Sequence, residues 1–255
     1  MESLLALKRW QGAIPGPPEP WYWLTALGAG LFYFAFAYFL ALAQGRGELG
    51  FALSLGWGAV KTLKASFSFP RPFDLDPAVA YPPALAGASD ASFPSGHAAM
   101  AALFAFYLAR GGPPWGYALA AVWTLLVGLS RIKLGVHYPA DVLAGWGLGL
   151  FFAFALPKRP PRPELCPLAL AAGAALPLLA APGGLAAAFT LLRRPLGAKR
   201  ALLGTALLFL TLALAPKEPA LLLLYSFLAP VLVALVVGWG RWSPSPTSTT
   251  SKATR

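Results

Sequence analysis

The chain has 255 residues, of which 58% are hydrophobic and only 11% charged, and its formal net charge is +11. An ordinary globular domain carries about 25% charged residues, so this deficit excludes a surface turned wholly to water and indicates lipid. The positive charge does not indicate nucleic acid, because Lys and Arg sit in short loops between apolar segments rather than on one continuous stripe. Cys166 stands alone, which excludes an internal disulfide and a thiolate metal cluster; it reads as a small apolar residue near a span end.

Residues 1–14 place Leu4, Leu5 and Leu7 beside Lys8, Arg9 and Trp10, the pattern of a short interfacial helix. They lack the central apolar run of a secretory signal, and PGPPEP at 15–20 breaks the helix. Span one, 21–43, predicts a helix about 34 Å long, enough to cross a hydrocarbon core. Span two covers 49–66, and 67–93 is a loop rich in Pro, Ser and Asp. Span three starts near Pro94 and runs to Arg110, span four covers 115–131 and span five 139–157, followed by the basic turn KRPPRPE at 158–164. Residues 165–192 are apolar but interrupted at Pro177, Pro182, Gly183 and Gly184, as one kinked span or a hairpin. After the basic loop RRPLGAKR at 193–200, two further spans fit at 201–215 and 220–239. The tail from Ser243 has the composition of a disordered segment.

The predicted fold is thus all-α: a polytopic membrane protein with a core bundle of five to six transmembrane helices and additional C-terminal spans. Its expected parts are an interfacial segment (1–20), a core (21–164), C-terminal transmembrane helices (165–240) and a disordered tail (241–255). If spans one to five alternate, the loops with Arg46, Arg110, Lys158, Arg159 and Arg162 share one face. Their excess of Lys and Arg marks that face as cytoplasmic. A cytoplasmic loop at 193–200 favours the hairpin for 165–192.

Three short motifs fall on the opposite, extracytoplasmic face: K-x6-R-P (Lys64, Arg71, Pro72), P-S-G-H (Pro94, Ser95, Gly96, His97) and S-R-x5-H-x3-D (Ser130, Arg131, His137, Asp141). They contain three cations, both histidines of the chain and one acid. A phosphoryl group in transfer spreads negative charge over three oxygens, and its catalysis is mostly positioning and charge stabilisation. Lys64, Arg71 and Arg131 suit that task, Arg because its planar fork holds two oxygens. With Pro94 in the first helical turn, the N–H groups of Ser95, Gly96 and His97 are expected to be free to face an anion, and the Ser95 hydroxyl adds a donor. Pro139 suits the first position of span five, so Asp141 lies in its first turn. From there its carboxylate can accept Nδ1–H of His137, leaving Nε2 to attack phosphorus. His97 is then placed to protonate the leaving oxygen and later to activate water.

Each residue also has a purely structural reading. Lys64 and Arg71 can be interfacial anchors, Asp141 a helix cap, and Ser95 and Gly96 a helix start. Ser130 reads as a helix-end residue and Lys133 as an interfacial lysine rather than a phosphate contact. Asp74 and Asp76 read as a solvated loop rather than a metal site. The case for chemistry rests on the ensemble, with its fixed spacings on one face.

At KASFSFPRP (64–72), PSGH (94–97) and SRIKLGVHYPAD (130–141) the chain resembles the type 2 phosphatidic acid phosphatase superfamily, over about residues 20–157. The resemblance implies a helical membrane core with an extracytoplasmic site. It implies His137 as nucleophile, Asp141 as its partner and His97 as general acid. Lys64, Arg71, Ser95, Gly96 and Arg131 would bind phosphate, with no metal or other cofactor. Vanadate-dependent haloperoxidases share these motifs but are soluble, against the apolar spans here. Many eukaryotic members have three spans before the first motif, where this chain has two and a short helix.

The expected activity is metal-independent hydrolysis of a membrane lipid phosphate or polyprenyl diphosphate. Length and the Ala, Leu and Pro bias look bacterial, which points to undecaprenyl diphosphate in the cytoplasmic membrane. Phosphatidylglycerophosphate and phosphatidic acid are the nearest alternatives. A lipid phosphotransferase, and a transporter or lipid-phosphate-binding protein without chemistry, stay open as competing functions.

Overall fold

Proline or glycine marks the start of most helices, as at Pro18, Gly30, Pro72, Gly96, Pro114 and Pro139. The computed structural model describes residues 2–88, 90–159, 161–162, 164–175, 179–192, 195, 197–213 and 228–235. Among these there is no strand, and the fold is all-α. Helix α1 (Glu2–Ala13) buries Leu7 against Ala98, Ile132 and Val142. Its C-terminus is held by Lys133, whose Nζ donates to Gln11 O (3.1 Å) and Ile14 O (2.9 Å). Lys133 therefore caps a helix rather than reaching for the bilayer interface.

The expected first span is two helices, α2 (Pro18–Leu27) and α3 (Gly30–Gln44), because the chain breaks at Gly28 and Ala29. A Cβ at Gly28 would lie 2.8 Å from Val127 Cγ1, so this backbone sits closely against the helix that carries Val127. Helix α4 (Glu48–Phe67) follows the expected second span. The loop after it is more ordered than its composition predicts, with a one-turn helix α5 (Pro72–Leu75) and two 3₁₀ turns, Pro77–Val79 and Pro82–Gly87. Helices α6 (Gly96–Ala109), α7 (Pro114–Lys133) and α8 (Pro139–Ala155) match spans three to five.

Two stretches among the described residues, Pro18–Gln44 and Pro114–Lys133, are long and apolar enough to cross a membrane by length and composition. The 14 residues of α6 rise only about 21 Å, less than a hydrocarbon core. Length alone therefore does not establish the expected five to six spans. The outer surface is nevertheless apolar: Trp23, Leu119, Leu143, Phe151, Leu168 and Leu203 are each between 61% and 71% exposed. At the far end from the motifs, Arg110 caps α8 through Ala153 O, Phe154 O and Leu156 O at 2.7–2.9 Å. Lys158 in turn donates to Leu108 O and Arg110 O at the end of α6.

Helices α6 and α8 pack closely against each other. A Cβ at Gly149 would press on Ala99 O and lie 2.8 Å from Ala102 Cβ; one at Gly145 would lie 3.0 Å from Ala98 Cβ. Small residues on both helices let the backbones touch. Gly149→Val is expected to cost about 1–3 kcal/mol through overpacking against backbone that cannot yield, read as a lower unfolding midpoint in detergent. An unchanged midpoint would contradict this contact.

Beyond α8, α9 (Leu165–Ala175) and α10 (Ala180–Leu191) pack as a hairpin, with Gly183 against Ala169 O and Gly173. This is the second of the two arrangements that the prolines and glycines of 165–192 allow. Helix α10 also packs along α4, and α11 (Ala198–Ala213) lies on α3. Residues 228–235 are helical. The rest of the predicted span at 220–239 and the tail from Ser243 lie outside the described residues.

Candidate active site

Three segments far apart in sequence meet in one cavity of about 430 Å³, lined at one end by Lys64, Arg71, Gly96, His97, Arg131 and His137. The last turn of α4 carries Lys64. Ser68 ends that helix in the left-handed region (φ 49°) and turns the chain toward Arg71, which precedes α5. Arg131 lies in the last turn of α7. Gly135 (φ 69°) then reverses the chain so that His137 enters the cavity before α8 begins. A side chain at Gly135 would be strained and would collide with the Val79 carbonyl, so this turn requires glycine.

Neither Lys64 nor Arg71 is an exposed anchor: they are only 6% and 3% exposed. Lys64 Nζ donates to Ala91 O and approaches Asp90 Oδ1 and Ser92 O at 3.4 Å. Arg71 donates Nε–H to Asp90 O (2.7 Å), an NH2 hydrogen to Asp90 Oδ1 (2.6 Å) and an NH1 hydrogen to Val136 O (2.9 Å). Lys61 Nζ reaches Asp90 Oδ2 at 3.3 Å. Burial raises the Asp90 carboxyl, but the charges of Lys64, Arg71 and Lys61 outweigh it and hold the group at about 2. Among the described residues, the cavity lining holds the cations Lys61, Lys64, Arg71 and Arg131 and one carboxylate, Asp90, which pairs with the first three. Lys64, Arg71 and Arg131 are buried and Lys61 is partly exposed, and this excess of positive charge suits an anion.

His137 is 2% exposed, and its Nε2 lies 3.3 Å from Arg71 NH1. A guanidinium only donates, so Nε2 accepts and the ring proton sits on Nδ1. Burial first, then the charges of Arg131, Arg71 and Lys64, push the imidazole well below its usual value, so it is neutral near pH 7. Nδ1 faces Asp141 Oδ2 at 3.4 Å but makes no hydrogen bond. The contact expected between these two residues is thus approximate here. The same Oδ2 accepts from Ser92 Oγ (2.6 Å) and from Tyr138 N (2.9 Å). Asp141 therefore both caps α8 and faces His137, so its structural and chemical readings are compatible.

The P-S-G-H segment departs from expectation. Helix α6 begins at Gly96, with Ser95 as its cap and Pro94 outside it. Ser95 N–H is not free but donates to Asp141 O (2.9 Å). Gly96 and His97 do line the cavity. Among the described residues, five buried side-chain atoms lack a hydrogen-bond partner, and three belong to the motifs: Ser95 Oγ, Arg131 Nε and His137 Nδ1. Arg131 spends one NH1 hydrogen on Thr25 Oγ1 (2.9 Å). Ser130 Oγ bonds Val127 O inside its own helix, consistent with a helix-end role. Asp74 accepts from Arg71 N, while Asp76 accepts from Ala78 N and pairs with Lys8; both shape the loop.

Sequence reading missed Lys61, Asp90, Ser92 and Thr25. Lys61 had a usable signal, since it stands three residues before Lys64 and so on the same helix face. The others come from a loop and a distant helix whose placement no spacing encodes.

A profile of the PAP2 superfamily matches residues 31–163, which include all three motifs and stop before α9. The chain is 42% identical over 66 residues to undecaprenyl-diphosphatase of Sulfolobus acidocaldarius, covering 26% of this chain and 32% of that protein. It is 42% identical over 76 residues to phosphatidylglycerophosphatase B of Bacillus subtilis (26% and 37%). With decaprenylphosphoryl-5-phosphoribose phosphatase of Mycobacterium tuberculosis it shares 44% over 61 residues (24% and 33%). These alignments span about a third of each relative's length. No solved structure matches. With its motifs gathered in one cavity and more than half its length matched by the profile, the chain belongs to the PAP2 superfamily.

Proposed function

We propose that the protein is an integral membrane phosphatase that removes a terminal phosphate from a lipid phosphate or polyprenyl diphosphate through a phosphohistidine. One observation carries this reading: a single cavity lined by Lys61, Lys64, Arg71 and Arg131, with both histidines on its wall and His137 Nε2 3.3 Å from Arg71 NH1. His137 Nε2 attacks phosphorus while His97 gives its proton to the leaving oxygen. His97 then takes a proton from the water that breaks the P–N bond. Lys64, Arg71 and Arg131, with Ser95 and Gly96, hold the phosphoryl oxygens, and Asp141 orients His137. The substrate we favour is undecaprenyl diphosphate, supported by the name of one relative. The apolar outer surface supports a multi-pass protein of the bacterial cytoplasmic membrane, its core at 21–164 and its site on the extracytoplasmic side.

Protein purified in detergent is assayed for phosphate release from undecaprenyl diphosphate, phosphatidylglycerophosphate and phosphatidic acid. Release is expected to survive EDTA, since positive side chains supply the charge that a metal would; loss with EDTA and recovery with a divalent ion would refute that mechanism. The preferred lipid names the substrate. No release from folded protein on any of the three would favour transport or binding.

The pH profile is a further check. A lowered histidine pKa keeps the nucleophile unprotonated down through pH 6.5, so the acid limb of kcat/KM due to His137 should lie below pH 6.5. Steady loss of kcat/KM from pH 7.5 to 6.5, traced to His137, would contradict its neutral state.

A further inference from the structure

The cavity does not end at the cations. Along α4 it is bounded by Lys64 and Lys61, then by Val60 and Trp57. Lys64 and Trp57 are seven residues apart, about 10 Å of helix rise. On α6 the lining passes from Gly96 and His97 to Met100 one turn further on. The cavity thus runs from a charged end to an apolar one. One wall of the apolar end comes from beyond the stretch that the family profile matches: Ala181 and Leu185 of α10, and Pro230. Helix α10 is held antiparallel along α4, since Gly58 faces Leu179 and Pro182 while Gly50 faces Phe189. Its side chains therefore flank α4 over the same depth.

We propose that α10, with the helical residues 228–235, forms one wall of a subsite for the hydrocarbon chain of the substrate, and that chain selection lies partly in these C-terminal helices. The proposal rests on the phosphatase reading for the identity of the anchored end. Its occupant is the hydrocarbon chain borne by the phosphate, because the apolar end is continuous with the cationic one. A phosphate held by Lys64 and Arg71 directs whatever is esterified to it between Trp57 and Leu185. The volume, about 430 Å³, suits the first part of such a chain rather than a whole polyprenyl tail.

The test compares farnesyl diphosphate with isopentenyl diphosphate, probes that share a head and differ in chain length. Ala181→Phe narrows the apolar end and is expected to lower the ratio of kcat/KM, long over short, about tenfold. In parallel, wild-type full-length protein is irradiated with a hexadecyl phosphate bearing a diazirine on its chain, and labelled peptides are mapped. Labelling within 180–191, competed by unlabelled lipid phosphate, is expected. Phosphate release with an unchanged ratio, or with label only elsewhere, would overturn the subsite and leave the phosphatase standing. Competed labelling of α10 without any phosphate release would overturn the phosphatase and leave the subsite. If Ala181→Phe does not fold, the labelling decides.

Discussion

His137→Ala is expected to lower phosphate release by about 10⁴-fold or more, equivalent to about 5.5 kcal/mol of transition-state stabilisation. The imidazole is buried and neutral, its proton is placed on Nδ1 by the Arg71 contact, and its Nε2 faces the cationic end of the cavity. In the proposed reaction no other side chain offers a lone pair to phosphorus at that position, so removal leaves only binding and charge stabilisation. His97→Ala should lose about 10²–10⁴-fold on a lipid substrate, the range for a general acid and base. With p-nitrophenyl phosphate the leaving group needs no proton, so the His97 variant should form the phosphoenzyme and then stall. The readout is ³²P held on the protein, stable to base and labile to acid. Label that persists in His137→Ala, or activity within tenfold of wild type, would remove His137 from the nucleophile's role.

Arg71→Lys, though it keeps the charge, should lower kcat/KM about 10²–10³-fold, the scale for losing one preorganised donor at a developing anion. Arg71 holds Asp90 O, Asp90 Oδ1 and Val136 O at once and touches His137 Nε2. A single ammonium cannot span that fork, so both the phosphate seat and the turn before His137 would loosen. Asp90→Asn should act in the opposite sense on binding. The Asp90 carboxylate occupies Arg71, Lys64 and Lys61 and, with its pKa held at about 2, stays charged at any working pH. In the proposed reaction an arriving phosphate competes with it. Neutralising Asp90 is expected to tighten inhibition by inorganic phosphate several-fold. Weaker inhibition in Asp90→Asn, or an Arg71→Lys enzyme with normal kcat/KM, would show that these donors do not face the substrate.

Composition and spacing alone determined that this chain is helical and apolar, where α4, α6, α7 and α8 run, and that Lys64, Arg71, Gly96, His97, Arg131 and His137 belong together. The reason is local: apolar runs bounded by Pro and Gly specify helices, and K-x6-R-P, P-S-G-H and S-R-x5-H-x3-D sit at helix ends that short connections bring together. Only the tertiary structure decided the rest. At the break, Gly28 lies close against Val127, a contact between segments about a hundred residues apart. Ser92 on Asp141 and Thr25 on Arg131 are likewise long-range pairs. Asp90 reaches its cations because the loop after α5 folds back over α4. The wall supplied by α10 depends on a hairpin whose packing rests on Gly183 against Ala169. Helix periodicity shows which face of a segment is apolar; which partner covers that face is settled only when all the helices compete for contact.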